Sequence, residues 1–391
     1  MNVCPFSPVV LGPVCFYLHI AYSRYAKKCK KVGAFDLKAI VRANIASLEP
    51  YRCARDDYSE GILLDANENS LGSTSTKHVD LELNRYPDPL YYDIKEHVAK
   101  FRGVQKEQIF FGVGSDEAID ILFRIFCVPG IDNIVTCPPT YGMYKVCAKV
   151  NDVAVHEAPL TASFDLDVNG VLSTINAHTK MVFICSPGNP TAKRIPNSDV
   201  ASVCEGFTSG LVVVDEAYID FSNGESATAL LRRYPNVVVL HTMSKAFGLA
   251  AIRLGSAIAR DDIIQLMNNV KAPYNINKLS AQVALDVFKN GIPTLEKQVD
   301  ALIQERHYLE NKLSAVTVVK HVYASDANFV LFKVPQAKKI YQILADRGIV
   351  VRYRGTEMHC DDCIRVTVGT RKENDSFLNL FVKVAAELDL E

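Results

Sequence analysis

Val237-Val238-Val239-Leu240-His241-Thr242-Met243-Ser244-Lys245-Ala246-Phe247-Gly248-Leu249-Ala250-Ala251-Ile252-Arg253 opens as an unbroken apolar run and turns at once into hydroxyls, a lysine and an arginine. A short run without polar alternation reads as a strand buried on both faces. Upstream, Leu211-Val212-Val213-Val214 has the same character and ends on Asp215-Glu216-Ala217-Tyr218. Ile134-Val135-Thr136-Cys137 leads into Pro138-Pro139-Thr140-Tyr141, and Met181-Val182-Phe183-Ile184-Cys185 into Ser186-Pro187-Gly188-Asn189-Pro190. From about Ile109 onward such runs alternate with helical patterns. The reading is α/β: a large, mostly parallel sheet sandwiched by helices, with reactive loops gathered at the carboxyl ends of its strands.

Beyond Ser280 the pattern changes. A charged helical stretch, Leu295 to Leu313, leads to strand-like Asn328-Phe329-Val330-Leu331-Phe332 and a helix near Ala337 to Asp346. Strands Ile349-Val350-Val351-Arg352 and Ile364-Arg365-Val366-Thr367-Val368 follow, and a final helix reaches Leu388. This reads as a smaller α+β domain. No block repeats, and no low-complexity linker divides the chain.

The chain has 391 residues, 49 % of them hydrophobic and 22 % charged, with a formal net charge of −1. That balance argues against a general nucleic-acid binder, which needs a basic face to neutralise phosphates. The 11 cysteines show no framework spacing and read as reduced thiols of a cytoplasmic protein. Cys360 and Cys363 form a single CxxC beside His359, without the second pair that a zinc site wants. Val9 to Tyr22 is largely apolar and is followed by Lys27, Lys28, Lys30 and Lys31. It is short of the roughly 20 residues of a spanning helix and lacks the leading positive charge of a signal peptide. Residues 1–33 read as an atypical extension, with no membrane partner expected.

Chemistry concentrates at the strand ends. A lysine amine at 245 and a carboxylate at 215 suit pyridoxal 5′-phosphate: the amine forms a Schiff base with its aldehyde, and the carboxylate keeps its ring nitrogen protonated. Burial beside hydroxyls and Arg253 would lower the pKa of Lys245. Asn189 and Tyr218 suit the phenolate oxygen, and Tyr141 offers a flat face for stacking on the ring. Gly112-Val113-Gly114-Ser115-Asp116-Glu117 reads as a turn into a helix capped by Ser115, whose free amides suit a phosphate dianion. Glu117 breaks the glycine fingerprint of a dinucleotide site. Taken singly, each residue has an ordinary reading: a surface lysine, a strand-end cap, a turn asparagine, core tyrosines. Their order and spacing, each just past an apolar strand, is what is hard to assign to chance.

These residues resemble the fold type I, aspartate-aminotransferase-like pyridoxal-phosphate enzymes, and the likeness runs from about Phe35 to the C-terminus. It is closest to the histidinol-phosphate aminotransferases of the fungal kind. Asp65-Ala66-Asn67-Glu68-Asn69, Asn84-Arg85-Tyr86-Pro87-Asp88-Pro89, Pro138 to Tyr144, Ser186 to Thr191, Asp215 to Tyr218, Ser244 to Ala250 and Cys363 to Thr370 carry it. The resemblance implies Lys245 as the Schiff-base lysine, Asp215 on the ring nitrogen, Asn189 and Tyr218 on the phenolate oxygen, and Tyr141 stacked on the ring. The cofactor phosphate would be held by the backbone at Ser115 and Asp116, by Thr242, Ser244 and Arg253, and by Tyr86 from the partner of a homodimer. Tyr51, Asn67, Arg352 and Arg365 would bind substrate. The implied division is an arm over 34–82 that joins the small domain, a large domain over 83–294 and a small domain over 295–391.

The implied reaction exchanges an amino group between glutamate and 2-oxoglutarate on one side and L-histidinol phosphate and imidazole-acetol phosphate on the other, in histidine biosynthesis. No metal is expected. Within the fold the rivals are an aromatic or aspartate aminotransferase and a threonine-phosphate decarboxylase. A cofactor-binding regulator would need a DNA-binding segment that the chain lacks, and a nicotinamide dehydrogenase is disfavoured by Glu117. Two departures stand out: Ala192 replaces a family glycine after Asn-Pro-Thr, and Ala251 replaces another before Ile252-Arg253. If Ala192 needs positive φ, it costs about 1 kcal/mol or more.

Overall fold

The computed structural model describes Ile62, Leu63, residues 87–272 and residues 274–390. The N-terminal extension, most of the 34–82 arm, Tyr51, Asn67 and Tyr86 lie outside the described residues. Strand β1 (Ile62–Leu63) and helix α1 (Tyr92–Arg102) precede the large sheet. That sheet uses β2 (Ile109–Val113), β3 (Asn133–Thr136), β4 (Ala154–Glu157), β5 (Thr179–Cys185), β6 (Leu211–Asp215), β7 (Val237–Thr242) and β8 (Leu254–Ala259). Interleaved are α2 (Gly114–Phe126), α3 (Met143–Val150), α4 (Val168–Thr174) and α5 (Asn197–Gly206), with α6 (Asp261–Val270) and α7 (Lys278–Asp286) after β8.

The strand order is β2-β8-β7-β6-β5-β3-β4. From β7 through β4 every pair is parallel, and β8 lies antiparallel between β7 and β2. β-branched residues dominate β6 and β7 because both faces are covered, leaving no solvent side for polar alternation. One face packs Met181, Phe183, Val213, Leu240 and Ala257 against Ile119 and Leu122 of α2, Tyr144 of α3 and Met267 of α6. The other packs Val182, Val212, Val214 and Val239 against Val98 of α1 and Val203 of α5. This is the helix-covered, mostly parallel α/β architecture expected.

Helix α8 (Ile292–Ser314) starts three residues before the charged stretch suggested, with Pro293 in its first turn, where a missing N–H costs nothing. The second sheet, antiparallel throughout, has the order β12-β13-β10-β9: β9 (His321–Val322), β10 (Phe329–Lys333), β12 (Arg352–Tyr353) and β13 (Cys363–Thr367). Helices α9 (Ala337–Asp346) and α10 (Arg371–Glu387) complete it, and Phe332, Phe377 and Phe381 are fully buried between them. Thr370 and Glu373 cap α10 reciprocally, the Thr370 amide donating to Glu373 Oε2 at 2.7 Å. The single strand expected over Ile349 to Arg352 is two. β11 (Ile349–Val350) pairs in parallel with β1, and after Val351 the chain joins β13 as β12.

The seven cysteines among the described residues are all free. Burial pushes the Cys127, Cys137, Cys147 and Cys204 thiols up to about 12. Cys185 is raised further, with the Asp215 charge adding to burial. Among the described residues no helix is long and apolar enough to cross a membrane.

Leu309 of α8 is fully buried in the core shared with the second sheet. Leu309→Ala is expected to cost about 2–5 kcal/mol, read as a lower midpoint in scanning calorimetry.

Candidate active site

In the parallel register Cys185 of β5 lies opposite Asp215 of β6, which lies opposite Leu240 of β7, so three loops leave the sheet at one level. Asp215 is 3 % exposed. Its carboxylate accepts from the Tyr144 hydroxyl at 2.7 Å and from the Ala217 amide at 3.2 Å. Tyr144 is fully buried, stacked on Phe183 with centroids 4.7 Å apart and edge-on to Tyr141 at 5.6 Å. Burial pushes the Asp215 acid up to about 6; the bonds from Tyr144 and Ala217 pull it back. An acid held this way gains from a cationic donor beside it.

Lys245 stands just past β7, half-buried rather than buried, with Nζ 5.9 Å from the Tyr218 ring centroid. Tyr218 is buried and meets Phe329 of β10 edge-on at 5.1 Å. Thr242 Oγ1 donates to Ser244 Oγ at 3.0 Å and accepts from the Ser244 amide at 3.2 Å.

The turn into α2 rests on the segment after β7. The Gly114 amide donates to the Arg253 carbonyl at 2.9 Å. A Cβ on Gly114 (φ +71°) would lie 2.6 Å from an Arg253 guanidinium nitrogen, and a Cβ on Gly255 only 2.3 Å from the Ser115 amide nitrogen. Arg253, itself at φ +53°, sits 3.5 Å from Asp116 Oδ2, while Asp116 Oδ1 accepts from the Tyr141 hydroxyl at 3.2 Å. Helix-start amides with no partner in the helix, beside a guanidinium, are chemically suited to a phosphate dianion.

From the second sheet Arg365, 3 % exposed, donates to Asn189 Oδ1 at 2.5 Å, its guanidinium carbon 5.0 Å over the Phe329 ring. Arg352 lies directly opposite Arg365 in the β12–β13 register. Like charges facing each other across a ladder repel, and a bound anion reverses that cost.

The structure thus brings Tyr141, Asp116 and Arg253 into one chain of contacts, Thr242 against Ser244, Lys245 beside Tyr218, and Asn189 against Arg365. Ser115 does not cap α2. Gly114 takes the left-handed turn one residue earlier, the N-cap is Val113, and the Glu117 carboxylate accepts from the Val113 amide at 2.5 Å. Ala192 does adopt positive φ, +61°, fully buried, whereas exposed Ala251 lies in a 3₁₀ turn and is not among the positive-φ residues. The sequence reading gave no role to Tyr144, although it ends the Pro138–Tyr144 motif one helical turn from Tyr141.

Residues 59–381 match the family aminotransferase class I and II. The chain belongs to that family. Among its relatives, a histidinol-phosphate aminotransferase of Cytophaga hutchinsonii is 46 % identical over 349 residues, covering 89 % of this chain and 99 % of that protein. One of Saccharomyces cerevisiae is 42 % identical over 381 residues, covering 90 % of this chain and 99 % of that protein. Fungal and bacterial members of the family are thus both similar along almost their whole length. A solved histidinol-phosphate aminotransferase of Sinorhizobium meliloti, in complex with pyridoxal 5′-phosphate, shares the fold with a TM-score of 0.82 at 21 % identity, covering 91 % of this chain and 99 % of that one.

Two substitutions test this geometry. The Asp215 acid is raised in the fold from 3.8 to about 6, so its share of stability is complete below pH about 4 and is lost as pH rises through about 6. Asp215→Asn removes that loss, so cofactor-stripped protein at pH near 7.5 is expected to be stabilised by on the order of 3 kcal/mol, with no gain near pH 4. Thermal scans at both pH values check the sign. Ala192→Gly is expected to stabilise by about 1 kcal/mol by relieving positive φ in a residue with a Cβ, measured the same way.

Proposed function

We propose that this member of the family is an aminotransferase exchanging the amino group of L-histidinol phosphate with that of glutamate, by way of imidazole-acetol phosphate and 2-oxoglutarate, in histidine biosynthesis. The observation that carries the reading is one sheet edge. There a buried acid (Asp215), an amine (Lys245) and the amides of Ser115 and Asp116 beside Arg253, suited to a phosphate, meet an Asn189–Arg365 bond from the second sheet. Identity of 42–46 % to histidinol-phosphate aminotransferases, over 89–90 % of the chain, supports the substrate.

The cofactor is pyridoxal phosphate, and the residues present fit it: the close approach that Gly114 and Gly255 allow sets the Ser115 amide beside the Arg253 guanidinium, which suits its phosphate, and Asp215 suits a protonated ring nitrogen. When bound it supplies an aldehyde that carries the amino group and a ring that withdraws electrons from the substrate's Cα. Asp215 holds the ring-nitrogen proton, and Tyr144 keeps that carboxylate aimed. Asn189 and Tyr218 donate toward the phenolate oxygen, and Tyr141 covers the ring face. Thr242, Ser244, Arg253, the backbone of Ser115 and Asp116, and Tyr86 of a partner subunit hold the phosphate. Once freed, the Lys245 amine would take the proton from the substrate's Cα and hand it to the cofactor's aldehyde-derived carbon within the same half-reaction, and would carry it the other way in the second half. Arg352 and Arg365 take the substrate's anionic end, a carboxylate in one half and a phosphate in the other, since a guanidinium matches both. The resemblance adds Tyr51 and Asn67, outside the described residues, as substrate-binding residues.

In this reading residues 34–82 are an arm joined to the small domain, 83–294 the large domain and 295–391 the small one; the β1–β11 pairing supports the arm's assignment. A cytoplasmic homodimer with shared sites is part of the proposal.

Assay of L-histidinol phosphate against tyrosine, phenylalanine, aspartate and O-phosphothreonine is expected to favour the first. A preference for any other donor overturns the substrate. Borohydride reduction is expected to fix a phosphopyridoxyl group on the Lys245 peptide, lost in Lys245→Ala. Arg365→Ala, which removes a charged hydrogen-bond donor from the substrate's anionic end, is expected to lower kcat/KM for histidinol phosphate by about 10–100-fold.

A further inference from the structure

Side chains alternate across a strand, so the two faces of each strand end differ. Asp215 continues the face of Leu211 and Val213 and accepts from Tyr144, and by the same alternation Thr242 follows Val238 and Leu240. Their neighbours Glu216 and His241 continue the opposite face, that of Val214 and Val239. There Glu216 accepts three hydrogen bonds: from the Ser226 hydroxyl at 2.5 Å, the Ala227 amide at 2.6 Å and His241 Nε2 at 2.8 Å. Both side chains are almost wholly buried, at 5 % and 2 % exposure for His241 and Glu216. As a carboxylate Glu216 only accepts, so His241 Nε2 carries the hydrogen.

Next to this pair Arg102, in the last turn of α1, forks onto Asp220 with contacts of 2.6 and 2.9 Å. Asp220 lies in the 3₁₀ turn Ile219–Phe221 that begins right after Tyr218. The four groups feel one another: the Arg102 charge, after burial, holds the His241 imidazole below its ordinary pKa, and Arg102 likewise holds the Asp220 carboxyl down.

The β6–β7 backbone register ends at Asp215 opposite Leu240, with the Glu216 amide on the Leu240 carbonyl at 2.9 Å as its last bond. Beyond that point the next link between the two strand ends is Glu216 to His241. We propose that His241 and Glu216, backed by Arg102 and Asp220, are positioning residues. From the face away from the cofactor they lock the segment bearing Asp215 and Tyr218 to the segment bearing Thr242, Ser244 and Lys245. The proposal rests on the aminotransferase reading above. It assigns the pair no contact with cofactor or substrate, and it makes the His241–Glu216 hydrogen bond one of the contacts that set the spacing of amine and acid. Displacement of a reacting group by about 1 Å is enough to cost around a hundredfold in rate.

The test compares His241→Leu, which keeps bulk and removes the donor, with His241→Gln, whose amide N–H reaches the place of Nε2. Two readouts are taken on the full chain: kcat and KM for glutamate in the holoenzyme, and the rate at which stripped protein captures added pyridoxal phosphate at Lys245, fixed by borohydride and read on the peptide. His241→Leu is expected to lower both kcat and capture by about tenfold or more while KM stays within about twofold, and His241→Gln to recover both to within about threefold. Equal impairment of the two variants, or a drop in melting temperature without loss of either rate, overturns the proposal. Should His241→Leu not fold, Glu216→Gln takes its place with the same two readouts: the same losses support the proposal, and unchanged rates overturn it. Failure of the wild-type protein to capture the cofactor at Lys245 overturns instead the aminotransferase reading on which it rests.

Discussion

The common level at which β5, β6 and β7 end is the constraint on which the rest of this structure depends. Parallel strands covered on both faces have no room for an unpaired polar side chain along their length, so polar groups are confined to the ends. There Cys185, Asp215 and Leu240 lie side by side in register. Alternation then divides the ends into two faces. One carries Asp215 to Tyr144, and the other carries Glu216 and His241 into a web of carboxylates, an imidazole and a guanidinium.

The second sheet completes the site by reaching across to those ends. Arg365 bonds Asn189, and Phe329 packs against both Tyr218 and the Arg365 guanidinium. Arg306 of α8, 4 % exposed, donates to the carbonyls of Phe221 and Ala327 at 3.1 and 2.9 Å, tying the loop after Tyr218 to the start of β10. Two carbonyls bridged by one buried guanidinium leave little freedom between loop and sheet.

Much of this was legible in the chain itself, for physical reasons. The runs at 134–137, 181–185, 211–214 and 237–240 announce two-sided burial because none of them alternates apolar with charged or amide residues, and each falls on a strand. Lys245, Asp215, Asn189 and Tyr218 stand out because reactive side chains soon after such runs fall on one sheet edge, and Arg253 reaches the same edge because it directly precedes β8, which runs antiparallel to β7. What stayed hidden is what depends on tertiary contact. Tyr144 looks like any helical tyrosine until Asp215 is seen 2.7 Å away. His241 reads as part of a strand until Glu216 and Arg102 arrive from two other elements. The capping role given to Ser115 failed because Gly114 can take a positive φ and start the helix early, a freedom a propensity argument does not register. The split of 349–352 into two strands was invisible because the four residues share one apolar character, and only their partners differ.

The buried thiols bear on the same chemistry. A carbonyl reagent is a hazard to a chain rich in accessible sulfur, because the thiolate is the competing nucleophile. Around the large sheet Cys127, Cys137, Cys147 and Cys204 are held protonated at neutral pH by burial, and Cys185, nearest the strand ends, is further discouraged by the Asp215 charge. Sulfur there is kept chemically silent, which leaves the ε-amine at 245 to meet an incoming aldehyde without that competition.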